Sequence, residues 1–539
     1  MRIGTMMMLV LSLASLTPGN GQAQQPPAAP AATGVRAGDI AFANSGAAGA
    51  QASFLDGLAL LHDFEYERAA EAFRRAQAVE PGFALAYWGE AMTYNHTVWM
   101  EQDLPAARAA LARLGPTAQA RMGKAATARE RDYLNAVEIL YGDGTKEARD
   151  LRYADAMGVL HAKYPADVDA TAFYALSLLG TCHEGRDFAT YMKAAALLEE
   201  VYPSHLRHPG VLHYLIHSYD DPIHAPLGLR AAMRYGAVAP DAPHALHMTS
   251  HIFLALGMWD EVIAANQQAI SVGRNLAAQR AHHGGDCGHY RTWLMYADLQ
   301  ERRDADAQTA LAACRLTAAV TLPIQQPVNY DPDHSAVGSY VYMRLLNVVE
   351  TGHQESVERL AWSAPGAAVP DFFDAYGDAV AALRADNLPA LQAAVAKLGE
   401  RRPAVLMELE TEGDQARADR ESVNVIVDEM VAVAKIRGGD RDGGLAALRQ
   451  TAMAESAMPM EFGPPMVALP SWELLGEELL RAQRPAEAAQ AFRNALARAP
   501  GRTRSLEGLL RSEELSGEAA AAAATRVELA RYPRGARGG

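Results

Sequence analysis

His213 and His217 stand four residues apart, and His247 and His251 repeat the pair 34 residues later. Histidines at i and i+4 project from one helical face a turn apart, and a neutral imidazole nitrogen is a good ligand for zinc, copper, nickel or iron. One such pair is a weak signal. Two pairs in register, on helices packed roughly 10 Å apart, could converge on one ion or hold a pair of ions bridged by Asp220 or water. Eight of the 17 histidines lie between His205 and His251, so composition alone does not produce the cluster. Two plainer readings compete. Histidines can be structural, each ring satisfied by a backbone carbonyl and copied by repeat duplication, or they can line a polar groove that binds peptide without metal.

Candidate partners for such a centre lie nearby in the sequence. Asp220 and Asp221 follow the first pair, and Glu184 closes the run Cys182-His183-Glu184. Each of the three carboxylates is a candidate base or extra ligand. His224 belongs to the turn after "SYDDPI", and His205 and His208 to an inter-repeat loop. The segment "AHHGGDCGHY" brings His282, His283, Asp286, Cys287 and His289 to a helix entrance. Tyr94, Asn95, His96 and Trp99 read as aromatic packing or a substrate-contacting wall. Met458, Met460 and Met466 suit Cu(I) or fill gaps in a core.

Several chemistries are excluded. The pairs read His-Tyr-Leu-Ile-His and His-Met-Thr-Ser-His, so neither carries the glutamate of an HExxH peptidase. The chain has no GxSxG elbow, no Walker loop and no dinucleotide fingerprint in a strand-turn-helix context. A net charge of -15 without a basic block gives no footprint for nucleic acid.

The elements that must position these residues follow from the period. Gly57, Ala69, Phe73, Ala76 and Pro81 have the same mutual spacing as Gly476, Ala488, Phe492, Ala495 and Pro500. With Trp472, Leu475 and Leu479 they resemble the tetratricopeptide repeat (TPR), a helix-turn-helix of about 34 residues whose small residues let two helices pack closely. The chain as a whole resembles a group of uncharacterised secreted bacterial TPR proteins, a likeness that supports the fold and assigns no reaction. The resemblance implies an all-α, right-handed TPR-like helical-hairpin solenoid, able to curl so that its ends or insertions cover the concave groove. It also implies that first helices line the groove. With Gly257 at the turn, His244, His247 and His251 take groove positions, as do His213, His217, Asp220 and Asp221 in the preceding repeat.

Further hairpins are expected around 83–112, 126–161, 168–202, 289–318, 336–364, 371–397 and 421–451, with almost no strand. The insertions at 325–340 and 455–473 are long and proline-bearing, and either could fold over the groove as a lid.

Residues 1–23 read as a signal peptide, which places the mature chain in the periplasm or medium. Residues 24–51, rich in Pro, Ala and Gly, read as a disordered tether. The array is then expected over 52–320 with the His-rich groove, degenerate hairpins over 321–465, and a C-terminal TPR over 466–532. Three cysteines allow at most one intramolecular disulfide. Two functions stay open. One is a secreted protein with a divalent transition metal (zinc, copper or iron) on His213, His217, His247 and His251, acting in hydrolysis or redox chemistry on a small-molecule or peptide ligand. The other is a metal-free interaction module that binds a peptide or protein partner.

Overall fold

The structure, a computed structural model, describes residues 34–279, 287–322, 335–352, 359–360, 368–410, 417–460 and 462–532. The expected signal peptide, His282, His283, Asp286 and most of the 325–340 insertion lie outside the described residues. Gly34 and Val35 belong to a first unit, Met1–Val35, and carry no regular secondary structure. Everything below concerns the second unit, Arg36–Gly539.

Antiparallel helical hairpins follow one another along this unit. They pair Ala48–His62 with Tyr66–Val79, Ala128–Leu140 with Lys146–Lys163, Val168–Leu179 with Phe188–Val201, Pro209–Tyr219 with Ala225–Val238, and Pro243–Ala255 with Trp259–Gln279. Further on, His289–Gln300 pairs with Asp304–Thr321, Ala368–Arg384 with Leu388–Glu410, Arg417–Arg437 with Arg441–Ala457, and Ser471–Arg481 with Pro485–Arg498. The array is all-α and TPR-like. Its only strands among the described residues, Asn95–His96 and Glu101–Gln102, form a two-residue antiparallel ribbon between the helices Ala84–Met92 and Leu104–Leu114.

The TPR spacing has a direct physical cause. Phe73 is fully buried between two glycines of consecutive first helices: a Cβ on Gly57 would sit 3.0 Å from its ring, and one on Gly89 only 2.4 Å. Phe492 repeats the arrangement between Gly476 and Gly508, at 2.7 and 2.3 Å. A fully buried Phe contributes about 1.5–3 kcal/mol, and glycine on both sides lets one ring tie three helices together.

One feature departs from the expected plan. The folded part begins before Ala52, because residues 36–47 are packed and not a tether. Phe42 is buried against Phe54, Trp88 and Tyr133, with ring centroids 5.7, 6.1 and 5.3 Å away, and the Arg129 guanidinium lies 4.1 Å over its face. One aromatic residue in a Pro/Ala/Gly-rich run anchors the run. As expected of it, the array curls back on itself. Trp259 Nε1 donates to the Gly501 carbonyl at 3.0 Å, and buried Arg502 meets Glu473 at 2.7 Å, Glu350 at 2.7 Å and Tyr296 Oη at 3.1 Å. The C-terminal hairpins therefore lock onto the middle of the chain.

Candidate metal centre

The helices Pro209–Tyr219 and Pro243–Ala255 are first helices of consecutive hairpins, and every residue of both is buried. Each opens on a proline, whose fixed φ suits the first helical turn. Burying a histidine without partners for its ring nitrogens is costly, so the surroundings of each ring define what the cluster can do.

The rings form one continuous group. His213 and His217 stand 4.8 Å apart between centroids, and His247 and His251 stand 5.1 Å apart. Across the two helices, His217 and His251 are 5.6 Å apart, and His213 and His244 are 5.2 Å apart. His289, at the start of the next first helix, lies 4.5 Å from His247.

In four of these rings Nδ1 is held by an acceptor, which leaves Nε2 as the lone-pair nitrogen. His213 Nδ1 donates to the backbone carbonyl of His62 at 2.6 Å. His247 Nδ1 donates to Asn266 Oδ1 at 2.7 Å, and Asn266 Nδ2 donates in turn to the Val262 carbonyl, which fixes the amide's orientation. His251 Nδ1 lies 3.1 Å from Asp220 Oδ2, and His217 Nδ1 lies 3.4 Å from the same oxygen. The Nε2 atoms of His213, His217 and His244 are buried and have no hydrogen-bond partner. His247 Nε2 and His251 Nε2 face each other at 3.2 Å, close to the separation of about 3.3 Å that two imidazoles adopt on one ion with bonds of about 2.0–2.1 Å.

The four expected ligands do not share one point. Among the described residues, ligand atoms within 4.8 Å of one another come in threes: His213, His217 and His244; His247, His251 and His289; His217, Asp220 and His251; and His62, Asp169 and His208. Each i, i+4 pair thus takes a third histidine from a helix N-terminus, because the two pairs lie on separate helices and each turns its free nitrogens toward its own third ring.

Burial keeps His213, His244, His247 and His251 neutral, the form that binds metal. Burial first, then the neighbouring imidazoles, holds His213 and His244 well below the ordinary histidine range; burial and His289 do the same for His247. Burial pushes His251 down to about 4 despite the opposing pull of Asp220.

The carboxylates have other roles than those expected of them. Asp220 is fully committed: Oδ2 receives the two histidine N–H groups and Oδ1 pairs with Arg186. Burial alone would raise its pKa, but Arg186 and these N–H donors hold it far below the usual carboxylate value. It positions His217 and His251 and does not act as a free base or bridge. Asp221 accepts from the Ile223 and His224 backbone N–H groups and from His224 Nδ1 at 2.8 Å, closing the turn before the next helix. Glu184 is 84% exposed and pairs with Arg417 at the surface, outside the buried cluster. His183 faces Asp150 at 3.1 Å, Cys182 is a free half-buried thiol, and Cys287 is disulfide-bonded to Cys314.

The His62–Asp169–His208 group is a structural network. His62 Nε2 donates to Asp169 at 3.0 Å and its Nδ1 accepts from Tyr214 Oη at 2.9 Å, while His208 Nε2 donates to Asp169 at 3.2 Å and its Nδ1 accepts the Val211 N–H. All four nitrogens are used. A Cβ at Gly210 would stand 2.3 Å from the His62 ring, so glycine there admits the ring whose carbonyl anchors His213.

The centre has two approaches. Phe462, from the 455–473 insertion, covers it with its ring 4.9 Å from His251 and 6.3 Å from His217. Beneath that insertion a cavity of about 90 Å³ is lined by Asp220, His251, Met458, Met460 and Met466 among others. On the other side an open cleft of about 750 Å³ reaches His244 past Phe64, Tyr66, His96 and Tyr290. Trp99 stands at that end of the cluster, 5.7 Å from His244, in the 3-10 turn Thr97–Trp99 that joins the two strands of the ribbon and not on the first helix itself.

No family model matches the chain, and no curated protein matches it. Solved structures that it is similar to include the APC/C hetero-tetramer Cut9-Hcn1, at 11% identity over 87% of this chain and 78% of that one, with a TM-score of 0.35. Yeast Tom70 is 12% identical over 90% of this chain and 92% of its own, with a TM-score of 0.26. The TPR domain of P58(IPK) is 12% identical over 87% and 99%, with a TM-score of 0.22.

Proposed function

We propose that the protein is an exported metal-binding protein in which a TPR-like array builds a buried histidine centre for a late first-row transition metal. One observation carries this reading: three Nε2 atoms, on His213, His217 and His244, are buried without a hydrogen-bond partner, although the opposite nitrogen of His213 and of His217 is anchored. A structural histidine would satisfy both ring nitrogens, as His62 and His208 do. Anchoring one nitrogen and leaving the other bare is the arrangement of a metal ligand.

The cleft that ends at His244 gives a small molecule or peptide a way to the centre. Any reaction there would be carried by the metal, since Asp220 is engaged with both histidines and Arg186, Asp221 is taken up by its turn, His224 and Arg186, and Glu184 lies at the surface. Elemental analysis of the full chain, expressed with its own leader and purified without a polyhistidine tag, tests the reading. Stoichiometric zinc, copper or iron is expected, and the His217→Ala/His251→Ala double variant should lose it. Wild-type protein free of metal after metal-replete growth, yet retaining a defined peptide or protein partner, would decide instead for a metal-free interaction module.

A further inference from the structure

We propose that the centre is binuclear, with one ion held by His213, His217 and His244 and a second by His247, His251 and His289; this rests on the metal-binding reading above. Two donors on one ion, with bonds of about 2.0–2.1 Å, can be no more than about 4.2 Å apart. No four ligand atoms among the described residues lie within even 4.8 Å of one another, whereas each of these two triads does. A single ion therefore uses half of the cluster and leaves the other half buried without purpose.

Each triad has the marks of a site in its own right. In the first, the three Nε2 atoms are buried and unpartnered. In the second, two Nε2 atoms face each other at 3.2 Å, where two lone pairs repel unless a proton or a cation lies between them. The triads are also joined. Asp220 Oδ2 receives His217 Nδ1 from one and His251 Nδ1 from the other, so one carboxylate sets the orientation of a ring in each. Rings of different triads approach to 5.6 Å at His217 and His251 and to 6.1 Å at His244 and His247. Two ions would be neighbours in one pocket.

The donor set indicates the class of metal. Six imidazoles with no bridging carboxylate suit zinc or copper better than magnesium, calcium or manganese, which need oxygen ligands. Phe64, Trp293 and Phe462 wall the pocket with apolar rings, at 4.3 Å from His213 and at 4.5 and 4.9 Å from His251. Such surroundings favour low total charge. Copper, which can enter as a monovalent ion, meets that requirement best. Three protein ligands per ion also leave each metal a position for an exogenous donor, as catalytic sites do.

The test is a titration of the metal-free full chain with Cu(I), repeated with Zn(II), and followed by elemental analysis after desalting. Wild type should retain two equivalents, His244→Ala and His289→Ala one each, and the pair together none. Circular dichroism must show each variant folded. Should one of them fail to fold, electron paramagnetic resonance of wild type loaded with Cu(II) decides: coupled ions give a broadened or silent spectrum, whereas isolated ions give a signal that accounts for all the copper. One equivalent in wild type, an isolated-ion signal, or loss of all metal on either single folded substitution overturns the pair while keeping the metal-binding reading. No retained metal in wild type overturns both.

Discussion

His213 Nδ1 donates to the backbone carbonyl of His62 at 2.6 Å, joining residues 151 positions apart. The contact ties the first hairpin to the histidine cluster. It is set up by Gly210, whose missing side chain makes room for the His62 ring, and by Asp169 and Tyr214, which hold that ring from both nitrogens. Replacing Gly210 with Ala should force the two elements apart, because the new methyl would meet Nδ1 of His62 at 2.3 Å. Overpacking of this kind costs about 1–3 kcal/mol. A lowered urea midpoint together with weaker metal binding is the expected result, and unchanged metal affinity would show that the carbonyl anchor does not matter.

Asp220→Asn tests the positioning carboxylate. The amide still offers an oxygen, but it loses the charge that balances Arg186 and that orients His217 and His251. Loss of such an outer partner typically weakens metal affinity about 10–100-fold. Competition with a chromophoric chelator measures this, and His217→Ala, which removes a ligand, should cost more than Asp220→Asn.

How much of this was legible in the sequence depends on how local each signal is. The repeat frame could be read because glycine, alanine and phenylalanine recur wherever one ring must sit between helices, as at Phe73 and Phe492. The paired histidines were legible through their shared register, and the lid through the length of the 455–473 insertion. The third histidine of each triad was not. The repeat frame puts His244 at a groove position and His289 at a helix entrance, but nothing in one chain's sequence says which ring turns toward which pair. His62 was missed altogether, since a lone histidine at a helix end carries no period. Asp220, Asp221 and Glu184 looked alike as carboxylates, and only their partners, two imidazoles, a turn and a surface arginine, distinguish them. Phe42 was hidden because composition averages over a segment, while a single aromatic side chain is enough to dock it.

Removing Phe73 should show what the repeat signature contributes. Phe73→Ala leaves a cavity between Gly57 and Gly89 that neither glycine can fill, and large-to-small changes of this kind cost about 3–5 kcal/mol. Chemical denaturation should register that loss. Because repeat arrays are stabilised mainly by nearest-neighbour interfaces, proteolysis should begin at the N-terminal hairpins and spare the C-terminal ones.

Acid should destabilise the metal-free protein in a defined window. Burial lowers His62 and His251 to about 4 in the folded state, and holds His213, His244 and His247 well below their ordinary value. Unfolded histidine titrates near about 6.5, so below that pH the unfolded chain binds more protons than the folded one. The stability these rings contribute is complete above about pH 6.5 and falls as pH drops, by up to about 1.4 kcal/mol per pH unit for each such ring. For His62 and His251 the loss ends near pH 4. Asp169 and Asp220, held low in the fold, begin to add their own loss only below the ordinary carboxylate range. Asp63, Glu429, Asp298 and Glu301, which burial raises, gain stability over the same range and oppose this fall, so the histidine part is read by comparison: the drop in urea midpoint between pH 7.5 and 5.5 should be smaller in metal-free His251→Gln than in the metal-free wild type. Bound metal should oppose the fall by holding the rings unprotonated.

Phe462 offers the last test, because it separates access from ligation. Its ring stacks near His251 at 4.9 Å and His217 at 6.3 Å, yet it supplies no donor atom. It comes from an insertion whose next residue, Gly463, lies so close to Trp293 that a Cβ there would stand 2.7 Å from the indole. The insertion is thus seated on the same tryptophan that lies 4.5 Å from His251. Phe462→Ala keeps the backbone of this cover and opens a hole the size of a ring above the histidines. A chelator should then strip the metal several times faster, while the number of ions bound at equilibrium stays the same, since both triads are intact. Equal stripping rates in wild type and variant would mean that metal leaves by the cleft at His244, and a Tyr66→Ala change at that mouth should then be the one that alters the rate.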